Sequence, residues 1–247
     1  MFSSDEERII PKKRVSVAGI LTQVILAVFL LSYFALLFFE NALQEITQFS
    51  LTYLLPIFLI VLIGIPLAST IYGLWIQRSK WQALAEELGF QVHQPKRWSL
   101  ATLQGTYRGH RFSISQTSES RGRSRVYFTN YVVTLNASSK ASFEIQKRSF
   151  THFNRNRIGD EAFDKKFSTR TSSQELIGQI LRTRGLRLGI LQLDERARTR
   201  NLTLKSDTLS YIESGKTSDT EYMRAVIGLL AELAHAIERM EQMDAFR

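Results

Sequence analysis

The sequence predicts a membrane hairpin of two transmembrane α-helices followed by an α+β domain with antiparallel sheet and a long C-terminal helix. Three observations carry that reading. The N-terminal third of the 247 residues holds two long uncharged apolar runs, residues 102–146 alternate apolar and polar positions between turn residues, and residues 223–240 keep one apolar stripe at helical spacing. The mean hydropathy of -0.10 is therefore the average of two oily runs and a polar remainder.

The first run, Val15–Phe39, contains 25 residues without a charge between Arg14 and Glu40. A bilayer core needs about 20 such residues in a helix, so the run is long enough to span. It exceeds the core of a signal peptide, and Phe38-Phe39-Glu40-Asn41 offers no small-residue cleavage site. The second run extends from Ile46 to Gln77 and is densest over Leu54–Trp75. The segments expected are a cytoplasmic tail over 1–14, spans over 15–39 and 52–77, a short external loop over 40–51 and a cytoplasmic α+β domain over 78–247.

Orientation follows from the flanks. Arg8, Lys12, Lys13 and Arg14 precede the first span and Arg78 and Lys80 follow the second, whereas the connecting loop holds Glu40 and Glu45 and no Lys or Arg. The positive-inside bias puts both termini in the cytoplasm. No ionisable residue lies inside either span, so the mark of an ion path or proton relay is missing and the pair reads as an anchor.

Beyond the spans, Trp81, Leu84, Ala85 and Leu88 fall at i, i+3, i+4 and i+7, and Gly89 is placed to end that helix in a left-handed conformation. Leu103, Gly105 and Tyr107, then Phe112 and Ile114, alternate on either side of Arg108-Gly109 as a hairpin does. Thr117–Ser124 reads as a polar loop. Val126–Leu135 reads as a strand whose apolar parity changes at Thr129-Asn130, as a bulge would make it, and Phe143 with Ile145 as another.

A helix follows, with Ser172 and Glu175 as its capping box and Gly185 as its stop. Leu186, Leu188 and Ile190 then alternate as a strand would, and Leu202, Leu204, Leu209 and Tyr211 flank a turn at Ser206-Asp207. Ser218 with Glu221 opens the last helix, whose stripe runs from Met223 through Val226, Ile227, Leu230, Leu233, Ala234 and Ile237 to Met240.

Recognisable chemistry is sparse. There is no cysteine, so disulfides and thiolate sites are out, and the four histidines, His93, His110, His152 and His235, show no zinc spacing. No nucleophile elbow, phosphate loop or dinucleotide fingerprint occurs. The expectation is a protein that is not an enzyme, with no catalytic, cofactor or metal residues. Asp160, Glu161 and Asp164 could offer oxygen ligands to a hard cation, but beside Lys165 and Lys166 they read more simply as a turn and a helix start.

Charge is more telling. Residues 77–170 hold 17 basic against seven acidic side chains, while 171–247 hold 11 of each, so the surplus sits in the half nearest the bilayer. Arg121, Arg123 and Arg125 crowd one segment, and Lys147, Arg148, Arg155 and Arg157 follow a strand. These seven are the candidate contacts to anionic lipid headgroups, in a binding or scaffolding module at the membrane. The alternative partner is nucleic acid, with Tyr127, Phe128 and Tyr131 as stacking surfaces; it requires those rings to stand exposed beside the arginines.

Three short patterns resemble those of uncharacterised bacterial inner-membrane proteins with N-terminal spans and a cytoplasmic domain. They are Trp81-x-x-Leu84-Ala85-x-x-x-Gly89, Gly105-x-Tyr107-x-Gly109-x-Arg111 and Gly159-Asp160-x-x-Phe163-Asp164-x-x-Phe167. The resemblance implies the bacterial inner membrane and the same architecture, and brings no activity or catalytic residue with it.

Overall fold

The computed structural model describes residues 51–94, 101–121, 124–148, 158–193 and 199–245. The expected N-terminal tail, first span and external loop lie outside these, as do Arg123, Arg155 and Arg157. Helix α1, Leu51–Leu88, runs unbroken for 38 residues, about 57 Å at 1.5 Å per residue. It crosses from one compact unit, Lys13–Arg78, into a second that contains Ser79–Arg247. Among residues whose side chains are described, no helix is long and apolar enough to cross a membrane.

The second unit is α+β. Its strands are β1 (Gln91–His93), β2 (Thr102–Tyr107), β3 (His110–Arg121), β4 (Ser124–Thr134), β5 (Phe143–Lys147), β6 (Phe167–Thr171), β7 (Thr199–Lys205) and β8 (Thr208–Ser214). Helices α2 (Glu161–Lys166), α3 (Gln174–Arg182), α4 (Arg184–Leu193) and α5 (Thr220–Ala245) complete it. All neighbouring strands are antiparallel, in the order β1-β2-β3-β4-β8-β7-β5-β6.

Register explains why one face of this sheet is dry. Leu103, Ile114, Tyr131, Tyr211, Leu202, Ile145 and Thr169 are successive partners across seven strands. None is more than 1% exposed. The next row, Phe112, Val133, Leu209, Leu204 and Phe143, is buried in the same way. The α5 stripe from Met223 to Ile237 joins this core, as its 3.6-residue period predicts. On the other side of the first row lies a polar one. Gln116, Thr129 and Glu213 face each other in register, and all three are buried.

Close approach sets one glycine. A Cβ on Gly105 would run into Cδ1 of Phe90 and stand 3.0 Å from its Cα, so only glycine lets Phe90 lie flat on β2. Phe90 then stacks on Phe112 with ring centroids 6.1 Å apart. Gly89, at φ +69°, ends α1 in the left-handed conformation expected of it.

Several expectations need correction. Thr117–Arg121 continues β3 and pairs with β4 as far as Arg121↔Ser124, so the polar loop is a strand. Its side chains from Thr117 to Ser120 are exposed, so the backbone ladder holds it and no apolar face marks it. Thr129-Asn130 is regular ladder; Phe128 simply buries on the face opposite Thr129, Tyr131 and Val133. The irregularity lies between Thr199 and Asn201.

Leu186, Leu188 and Ile190 belong to helix α4. Leu186, Gly189, Ile190 and Leu193 are its buried residues, at i, i+3, i+4 and i+7. Gly185 accordingly lies inside α4, and α3 ends at Thr183. Caps shift by one position: Oγ of Ser173, not Ser172, accepts from the Leu176 amide, and Oδ1 of Asp219, not Ser218, accepts from the Tyr222 amide.

Candidate functional site

Strand directions sort the charged residues onto two ends of the sheet. The first end gathers the last residues of β3, β8 and β5 with the first residues of β4, β7 and β6. Arg121 and Arg125 therefore sit at the same end as Lys147 and Arg148. Arg125 and Lys147 lie on strands three spacings apart, about 14 Å across the sheet, with Arg125 further out along its strand. Sequence reasoning grouped these residues as basic but had no means of placing the two clusters side by side.

Neighbours add to this end. The backbone N–H of Arg148 donates to the Lys166 carbonyl, which brings exposed Lys165 and Lys166 beside it. The Lys216 ammonium lies over the Tyr127 ring, 4.0 Å from its centroid. Phe128 and Tyr131 are buried, at 3% and 0% exposure, so neither offers a free face for a base to stack on. The Trp81 indole N–H donates to the Thr217 carbonyl, just past the end of β8, at 3.1 Å.

Two of the three acidic residues here, Asp160 and Asp164, are already committed to structure. Asp160 caps α2 by accepting from the Phe163 amide, and it pairs with Arg187. Burial pushes the Asp160 carboxyl up, but the Phe163 N–H and the Arg187 guanidinium outweigh it and hold the group below the usual carboxylate range. The two oxygens of Asp164 accept from the amides of Ile158 and Gly159 at 3.1 Å each. Phe163 and Phe167 are buried beneath, as their spacing suggests.

The opposite end holds a constellation that sequence spacing could not reveal. The β2–β3 turn places Arg108 and Gly109 at positive φ, a two-residue hairpin loop that ends on His110. His110 is fully buried against α5, with Nε2 3.3 Å from Nδ1 of His235 and the rings 4.4 Å apart. Its Nδ1 lies 3.6 Å from Oε1 of Glu238 and 3.5 Å from the Asn136 side-chain amide. Burial lowers the His110 pKa; the Glu238 carboxylate opposes this and His235 adds to it, and the balance favours the neutral ring. Arg108 is paired with Glu232 one turn earlier on α5.

The chain after β4 is stitched to the same helix. Glu238 accepts from the Asn136 amide at 2.7 Å, and Glu241 accepts from the Ser139 hydroxyl and the amides of Lys140 and Ala141. Beside these bonds is an open cavity of about 790 Å3, lined by Asn136, Ser138, Lys140, Ser173, Glu238 and Glu241 among others. His110 and His235 are 125 positions apart, and only the fold joins them.

No protein-family model matches the chain, and no curated protein matches it in sequence. A solved structure, mycobacterial trehalose monomycolate transport factor A, is similar with a TM-score of 0.43 and 10% identity, over 66% of this chain and 96% of that one. A likeness at that level carries no argument about fold or role.

Proposed function

We propose that the protein is a two-pass bacterial inner-membrane protein with both termini cytoplasmic, whose α+β unit is a binding or scaffolding module with its basic end against anionic headgroups. The observation that supports this reading is topological. Arg125, Lys147, Arg148, Lys165, Lys166 and Lys216 collect at one end of the sheet, the end at which Trp81 bonds Thr217. Each Lys or Arg well placed near an anionic surface contributes about 1 kcal/mol. The buried state of Phe128 and Tyr131 weighs against the nucleic-acid alternative, because its stacking platform is missing.

Two measurements test the two parts. A reporter fused at residue 45 is expected on the external side; a cytoplasmic signal would overturn the topology. Residues 79–247, the compact unit, are expected to bind vesicles in proportion to their anionic lipid and to release as salt rises. Neutralising Arg125, Lys147 and Lys166 together to Gln removes about 3 kcal/mol, a loss of about 100-fold in partition. Binding indifferent to anionic lipid, to salt or to these three changes would sink the lipid assignment.

A further inference from the structure

We propose that His110, His235 and Glu238 form a binding site for one divalent transition-metal ion of the Zn2+ class, with its open coordination position facing the cavity between α5 and residues 136–141. The site lies at the opposite end of the sheet from the basic residues and does not depend on the membrane reading.

Donor type comes first. Two imidazoles and one carboxylate make an N2O set, which suits Zn2+, Co2+ or Ni2+, whereas Ca2+ and Mg2+ take oxygen ligands. Distances agree with that set. Two nitrogens each about 2.0–2.1 Å from a tetrahedral ion stand about 3.3 Å apart. Nε2 of His110 and Nδ1 of His235 are 3.3 Å apart. One donor atom from each of the three residues lies within 4.8 Å of the others, so the Glu238 carboxylate closes on the ion by a side-chain movement of about an ångström.

The surroundings fit as well. The first ligand is held firmly, because His110 is fully buried against α5. The Asn136 backbone amide holds Glu238. Arg108, at the turn before His110, is paired with Glu232. His235 is exposed and Glu238 also lines the cavity, which gives the ion a path in and leaves room for water or a small anionic ligand on its remaining position.

The test uses the full chain in detergent, stripped with chelator and titrated with Zn2+ by calorimetry and with Co2+ by visible absorption. Expected are one ion per chain, a Co2+ spectrum of tetrahedral nitrogen and oxygen ligation, and a higher thermal midpoint with Zn2+. His235→Ala changes an exposed residue and leaves the fold in place, yet is expected to weaken binding by more than about 100-fold, beyond the 10–100-fold typical of losing an outer partner. Glu238→Gln weakens it less, and His93→Ala, on β1, leaves it unchanged. No saturable one-to-one binding, or binding that survives His235→Ala, overturns the proposal; so does binding that His93→Ala removes.

Discussion

Trp81→Ala is expected to lower the stability of the folded unit by about 3–5 kcal/mol, the range for emptying a large aromatic site. The indole is 1% exposed and among the largest fully buried side chains of the unit. Its N–H also reaches the Thr217 carbonyl, which accepts from the Gln116 side chain as well, while the Thr217 amide points at the Thr129 hydroxyl 3.4 Å away. Truncation therefore leaves a cavity and loosens one tie of the polar row formed by Gln116, Thr129 and Glu213. Trp81→Phe keeps most of the ring and removes the donor, at about 1–2 kcal/mol. Urea unfolding followed by circular dichroism separates the two. A loss below about 1 kcal/mol for the alanine variant would mean that the end of α1 is not packed into the unit.

Phe163→Ala is expected to cost a similar 3–5 kcal/mol and to have a local signature. Helix α2 has only six residues, too few to persist in water by itself. What keeps it folded is Phe163, fully buried with its ring 5.0 Å from that of Phe167, together with the Asp160 cap. Without the ring, the segment from Ile158 to Phe167 loses its anchor, and Lys165 and Lys166 lose their position at the basic end.

Unfolding midpoints report the first effect and limited proteolysis around Lys165 the second; an unchanged midpoint with no new cleavage would refute the argument. The cap contributes about 1 kcal/mol on the same segment, with a distinct pH dependence. Because the folded pKa of Asp160 is depressed, its contribution is present above the unfolded value of about 4 and is lost as pH falls through the lower, folded value.

The parts of this fold legible in sequence are those where one residue pattern admits one structure. The α5 stripe spans about five turns, and the hairpin around Arg108-Gly109 pairs alternation with a turn that demands positive φ. Leu186, Leu188 and Ile190 read as a strand because Leu186 and Ile190, four apart, fit both periods, and Gly189 and Leu193 decide for helix only once α5 is known to lie beside them. The tail of β3 failed for a different reason. Its side chains are wet on both faces, so hydrogen bonding to β4 alone makes it a strand. His110 and His235 went unrecognised as a pair because metal and catalytic spacings are local signals, whereas their proximity depends on β3 and α5 meeting across the core.

The strand order also fixes a schedule. Strands β1 to β4 are consecutive neighbours and can pair as they are made, but the second edge of β4 is closed by β8, near the end of the chain. Tyr131 and Glu213, which meet across that seam, are 82 positions apart. At about 5–20 residues per second of synthesis, β4 waits about 4–16 s with an unpaired edge and with Tyr131 and Val133 uncovered. The last strand and last helix of the chain then cover the edge and the apolar face together. A chain cut short before β8 would thus expose a sticky half-sheet beside the ribosome, and quality control has most to act on in that interval.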